Sequence, residues 1–212
     1  MNNLITFLRY RLQQDLPGKG AQLQMAPKPV SEGPNRPMSP DSSASPSTVL
    51  ILLLPNDEMK WELVLTLRSD NIDHGGQLSF PGGRAEPNET PAATALREAN
   101  EEIGIATQEV TIIGELSPLY ISHSNSQVTP VVGYMDSIPD FIANPDEVEE
   151  IFSVELKSLA TKKNLIEEQW KLQDHHYHVP YWDVHRVPLW GATAMMLNEF
   201  LDLYREFVAK EP

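Results

Sequence analysis

The stretch GGRAEPNETPAATALREANEEIGI, residues 82–105, decides how the rest of the chain is read. It predicts a glycine-led loop running into a helix over Thr90–Ile103. The Thr90 hydroxyl can cap the first turn, and Pro91 suits the first helical position, where no amide is required. Gly104 can end the helix in the left-handed conformation. Glu98, Glu101 and Glu102 stand at i, i+3 and i+4, so three carboxylates share one helical face. Like charges so placed repel unless a cation neutralises them. Hard carboxylate oxygens favour Mg²⁺ or Mn²⁺ over zinc, and a cation so held can clamp a diphosphate and acidify bound water. Arg97 either pairs with Glu101 one turn on or folds back to Glu89 and holds the loop. Gly82 and Gly83 carry no Cβ, so backbone can approach a cation or phosphate closely. The same three glutamates also fit an ordinary solvated acidic face.

Outward from this segment, Val49–Leu54 and Glu62–Leu67 predict strands joined by a polar turn at Asn56-Asp57-Glu58. Val110–Ile113, Val128–Tyr134 and Ile151–Leu156 predict further strands, and Trp190–Ala209 a closing amphipathic helix. The irregular alternation points to a mixed α/β domain. At the start of the chain Leu4, Phe7, Leu8 and Leu12 recur at helical spacing. Three parts follow: an N-terminal helical segment (1–25), a Pro/Ser-rich loop or linker (26–47), and the main domain (48–212). The N-terminal helix either covers that domain or joins two copies as a homodimer.

Composition limits the function. The 212 residues hold 16 Lys and Arg against 30 Asp and Glu, a formal net charge of -14. Such an acidic chain is a poor general nucleic-acid binder, because that affinity comes from basic side chains meeting phosphates. An anionic small molecule stays compatible, since a bound dication reverses the local field. The chain has no cysteine, which excludes disulfides and thiolate chemistry and suits the reducing cytoplasm, the compartment expected. No stretch is apolar enough to span a bilayer, so no membrane partner is expected.

Residues Gly83 to Ile105 resemble the Nudix box, a glycine, a glutamate six positions on, then Arg-Glu, Glu-Glu and Gly at set intervals. Gly83, Glu89, Arg97, Glu98, Glu101, Glu102, Gly104 and Ile105 fall on its positions; Ala99 is small where the box has a bulky apolar residue. The resemblance implies an α/β/α sandwich with a mixed sheet. It implies Glu98 and Glu102, supported by Glu101, as ligands of Mg²⁺ or Mn²⁺. Gly83, Glu89 and Arg97 would then shape and orient the loop and helix.

Upstream, Leu65-Thr66, Arg68-Ser69, His74, Gly76-Gln77 and Phe80-Pro81-Gly82-Gly83 resemble the coenzyme A pyrophosphatase subgroup of that family. Asn144-Pro145-Asp146-Glu147-Val148 with Phe152, and Trp190-Gly191-Ala192-Thr193-Ala194, resemble it too. For the last run, packing through small residues is the favoured reading. The chain departs from the subgroup at Ile72-Asp73, where Leu-Arg is usual. Losing a cation there should weaken an anionic ligand. Arg68 and Arg84 remain candidate phosphate or nucleotide contacts; a strand-end ion pair is the other reading of Arg68. Nudix enzymes often recruit a base from a loop, and Glu147 is the first choice ahead of Glu149 and Glu150. His175, His176 and His178 sit in an alternating segment that suits a surface strand.

The expected activity is metal-dependent hydrolysis of a diphosphate bond in a nucleotide small molecule. Coenzyme A leads, giving 3′,5′-ADP and 4′-phosphopantetheine. The alternatives are ADP-ribose or a dinucleotide as substrate, or a Nudix-fold module that binds a nucleotide without catalysis.

Overall fold

The computed structural model describes residues 2–31, 39–71, 75–161 and 163–210. In chain order the elements are α1 (Asn2–Arg11), α2 (Lys19–Gln22), β1 (Lys28–Pro29), β2 (Ser45–Pro55), β3 (Trp61–Arg68), β4 (Leu78–Ser79) and β5 (Gly82–Arg84). They continue with α3 (Pro91–Ile103), β6 (Thr111–Glu115), β7 (Leu119–Ile121), β8 (Ser126–Tyr134) and β9 (Val148–Glu155). The chain closes with α4 (Leu156–Ala160), β10 (Leu165–Leu172), β11 (His175–Trp182) and α5 (Gly191–Val208).

The eight-stranded sheet runs β4-β3-β2-β8-β6, with β5 also on β2, β7 on β8 and β9 on β3. The β2–β8 pair is parallel and the others antiparallel, so the sheet is mixed. Strand β2 explains the two layers. Side chains alternate across a strand: Ile51 and Leu53 enter one core, Leu50, Leu52 and Leu54 the other. Both faces are covered, which is why this strand is a continuous apolar run rather than a polar alternation. The larger core packs against α1, α4 and α5, and the smaller against α3. On α3, Ala95, Ala99 and Ile103 are fully buried at four-residue spacing. Ala99 is small because it lies in the packed layer between helix and sheet.

The helix ends form as their residues dictate. The Thr90 side chain accepts from the Ala93 amide at 3.2 Å, and Gly104 has φ 72°. Strand β2 begins at Ser45, inside the span expected to be linker, and pairs in parallel with Ser126 onward. Lys28–Pro29 also forms a short strand on β11. Apolar character therefore understated the length of β2: its first residues carry small polar side chains but are held by backbone pairing. Strand β10 carries no strand signal in the sequence, because its Glu167, Glu168 and Gln169 face solvent and hide the alternation.

The N-terminal segment is built into the larger core. Leu4, Ile5, Leu8 and Leu12 are buried there, Phe7 meets Phe207 with ring centroids 5.5 Å apart, and Arg11 pairs with Glu206 at 2.7 Å. A buried carboxylate fastens the next turn. Glu199 of α5 is fully buried and accepts from the Gly18 amide (3.0 Å), the Gln22 amide group (2.7 Å) and the Ser117 amide (3.3 Å). Three donors on one buried carboxylate offset its desolvation. Among the described residues no helix is long and apolar enough to cross a membrane.

Candidate active site

The site forms where the loop after β4 meets α3. Strand β4 leads into Phe80, which is buried, and Pro81, whose carbonyl accepts from the Leu50 amide at 2.8 Å. The Gly82 amide then donates to Glu102 Oε2 at 3.0 Å. Gly83 lies against the Glu98 side chain so closely that a Cβ built there would sit 2.4 Å from Oε2. Any side chain here would displace that carboxylate.

Arg97 organises the loop from the helix. Its Nε donates to Glu89 Oε1 at 2.9 Å, and Nη2 donates to Glu89 Oε2 at 3.0 Å and to the Arg84 carbonyl at 2.9 Å. Its Nη1 reaches Glu98 Oε1 at 2.8 Å and Glu101 Oε2 at 3.1 Å. The two pairings left open by spacing, forward to Glu101 and back to Glu89, are thus made together. Glu89 also accepts from the Thr94 hydroxyl and the Glu86 amide. Chiefly through the Arg97 hydrogen bonds, its carboxyl is pulled down to about 2. Thr94 carries no signal of this role in the sequence: it lies five residues after Glu89, a separation with no simple helical signature because Glu89 precedes the helix.

The glutamates of α3 differ in environment. Glu102 is 3 % exposed. Burial pushes its carboxyl up to about 7, the Gly82 amide and the Arg68 charge oppose this, and the Glu147 and Glu98 charges add to it. Glu98 is also raised, first by burial, against the hydrogen bond and charge of Arg97; Glu101 and Glu147 push it further up. Glu101 is half exposed and held by Arg97. Glu147 comes from the turn before β9, where Asn144 donates to its Oε1 at 3.3 Å and its carbonyl accepts from the Ser69 amide at 2.9 Å. The charges of Glu147 and Glu98 thus both act on Glu102, and those of Glu101 and Glu147 both act on Glu98.

Oxygen-only donors, mutual carboxylate repulsion and a glycine cradle that a Cβ would fill together fit a hard dication. Among the described residues, no three acidic or histidine side chains are drawn together as a ready-made metal cluster. Arg68 ends β3 and its charge reaches Glu102. The Arg84 side chain is exposed, and its carbonyl is what the site engages. His175, His176 and His178 are exposed on β11. Phe152 stacks on His185 with centroids 4.6 Å apart. Ile72, Asp73 and His74 lie outside the described residues. In the run 190–194, Thr193 does more than pack: its hydroxyl donates to the Leu78 carbonyl at 3.0 Å.

Known proteins with this pattern are numerous. A model of the NUDIX domain family matches residues 44–177. Nudix hydrolase 3 of Caenorhabditis elegans is 32 % identical over 199 residues, covering 86 % of this chain and 82 % of that protein. A peroxisomal coenzyme A diphosphatase of Mus musculus is 40 % identical over 116 residues, covering 54 % of this chain and 48 % of its own length. Among solved structures, a Nudix hydrolase from M. smegmatis, RenU, superposes with a TM-score of 0.54 at 18 % identity, covering 85 % of this chain and 98 % of that one. Fold, loop–helix geometry and relatives agree, and the chain belongs to the Nudix family as a hydrolase of diphosphate linkages in nucleoside-diphosphate derivatives.

Proposed function

We propose that the chain cleaves the diphosphate of coenzyme A or a derivative, with Mg²⁺ or Mn²⁺ held by Glu98 and Glu102 and with Glu101 in support. The observation that carries this reading is the packing of Glu98 and Glu102 against the Gly82-Gly83 loop, with Glu102 buried, its carboxyl raised and the Glu147 charge acting on both. When bound, the dication supplies charge stabilisation for the diphosphate and a more acidic water. Glu147, whose charge acts on both Glu98 and Glu102, is the group proposed to take a proton from the attacking water. Arg68 and Arg84 are the cations proposed to meet substrate phosphates. Gly83, Glu89 and Arg97 set the loop against the helix, so the protein works mainly by positioning and charge.

Coenzyme A is favoured by the residues 65–83 and 144–152, which resemble the coenzyme A pyrophosphatase subgroup, and by the name of the mouse relative. The Ile72-Asp73 departure motivates a second reading, ADP-ribose or a dinucleotide as substrate. A panel of coenzyme A, ADP-ribose and dinucleotides, each with Mg²⁺ and with Mn²⁺, separates them by product analysis. Coenzyme A inert beside ADP-ribose turning over would overturn the first reading. Glu102→Gln should abolish metal-dependent turnover while the chain stays folded; wild-type rates in that variant would remove the proposed chemistry.

A further inference from the structure

Strand β4 has two residues, Leu78 and Ser79, in register with Leu67 and Thr66 of β3, and the Arg68 amide donates to the Gln77 carbonyl just before it. Two register pairs are too few to hold a strand against fraying, yet β4 delivers the chain into Phe80–Gly83, where Gly82 meets Glu102 and Gly83 meets Glu98. The loop beyond it is held by the Leu50 amide on the Pro81 carbonyl and by the pairing of Gly82 and Gly83 with Val49 and Thr48, and β4 itself by two side-chain ties. One is local: the Thr66 hydroxyl lies 3.2 Å from the Ser79 carbonyl and 3.0 Å from the Ser79 hydroxyl. The other comes from the opposite layer. Thr193, 8 % exposed in the first turn of α5, donates to the Leu78 carbonyl at 3.0 Å across 115 positions of sequence.

This bond joins the two helical layers through the loop. Helix α5 packs on the larger core and α3 on the smaller. The path runs from Thr193 to Leu78, along backbone to Gly82, and from the Gly82 amide to Glu102. The turn that presents Thr193 is itself specialised. Trp190 precedes the helix in extended conformation, and Gly191 enters it at φ 63° with open space where a Cβ would stand. Trp190 rests edge-on against Trp170 of β10 with centroids 5.3 Å apart, which fixes the helix start laterally.

We propose that Thr193 is a positioning residue of the catalytic loop, and that its hydroxyl holds the Phe80–Gly83 backbone where Glu98 and Glu102 can take up a dication. The inference rests on the metal role given above to Glu98 and Glu102. Removing the hydroxyl leaves a buried carbonyl without its donor and releases the start of the loop. Small displacements of positioned groups cost rate steeply.

The test compares Thr193→Val, which keeps the shape, with Thr193→Ser, which keeps the hydroxyl. Mn²⁺ binding is measured by calorimetry without substrate, together with hydrogen exchange at the Gly82 and Gly83 amides. The expected result is roughly tenfold weaker Mn²⁺ binding and faster exchange in Thr193→Val, with Thr193→Ser within about twofold of the wild type. Where diphosphate turnover is available, kcat should fall with binding and KM should change less. If Thr193→Val melts earlier but binds Mn²⁺ and exchanges Gly82 as the wild type does, the hydroxyl is a stability contact alone and the proposal fails. If Thr193→Val does not fold, Thr193→Ser against Thr193→Ala carries the same comparison. Because binding and exchange need no turnover, an inactive substrate panel leaves this test standing, whereas wild-type protein that binds no Mn²⁺ defeats the metal reading itself.

Discussion

The α-carbon of Gly83 is packed against the carboxyl of Glu98, and a Cβ added to it would lie 2.4 Å from Oε2 and 2.7 Å from Oε1. The obstructing group is the far end of a side chain, so it can swing away at small cost to the fold. Its swing moves the proposed ligand. Gly83→Ala should therefore leave thermal unfolding within a few degrees of wild type and cut kcat by about 100-fold. Comparison of melting with steady-state kinetics checks both halves, and a well-folded variant with full activity contradicts the close approach.

As a proposed metal ligand, Glu102 should make metal binding and stability depend on pH in opposite directions. Its folded pKa, about 7, stands above the ordinary glutamate value of about 4.5 because burial disfavours the charged form. The metal-free protein binds this proton more tightly folded than unfolded. Its contribution is fully present below about 4.5 and is lost as pH rises toward 7, an amount of about 3 kcal/mol. Mg²⁺ requires the ionised form, so its stabilisation should grow over that same window. Melting curves from pH 5 to 8, with EDTA and with Mg²⁺, should diverge as pH rises. In Glu102→Gln the divergence should shrink, and parallel curves in the wild type would falsify the assignment.

Arg97 holds Glu89 well below the ordinary carboxylate range, at about 2, chiefly by hydrogen bonding. A depressed carboxylate contributes stability above its unfolded pKa of about 4.5, and the contribution is lost as pH falls toward 2. Arg97→Gln should raise the pH at which the protein unfolds in acid and lower kcat by at least about tenfold, since Glu98 and the Arg84 carbonyl lose the same partner. Acid titration followed by circular dichroism measures the first effect. An unchanged acid midpoint counts against it.

The N-terminal 25 residues are proposed to fold only as part of the main domain. Leu8 is fully buried in the larger core, and Glu199 fastens Gly18 and Gln22 from α5. Leu8→Ala should cost about 2–5 kcal/mol in chemical denaturation while Mn²⁺ affinity in the folded state stays unchanged. A cost below about 0.5 kcal/mol would make the segment a separable appendage.

Much of this was legible before any fold was known. The helix of residues 91–103 is marked by Thr90, Pro91 and Gly104, all of which act within one turn of themselves. The buried strand at Leu50–Leu54 is marked by its unbroken apolar run. The extension of β2 back to Ser45 was hidden, because residues 45–48 are Ser, Pro, Ser and Thr and gain their strand character from Ser126–Thr129 on the neighbouring strand. Strand β10 was hidden because its exposed polar residues mask the period.

By itself the chain determined the spacing of Glu98, Glu101 and Glu102 on one helix face, because helical periodicity is a local property of the backbone. Only the tertiary structure decided that the Glu147 charge acts on Glu98 and Glu102, that Glu102 is buried deeply enough to hold a proton near neutrality, and that the Thr193 hydroxyl reaches the Leu78 carbonyl from across the sheet. Those outcomes depend on desolvation and on contacts between residues 45 to 115 positions apart, and no local pattern encodes either.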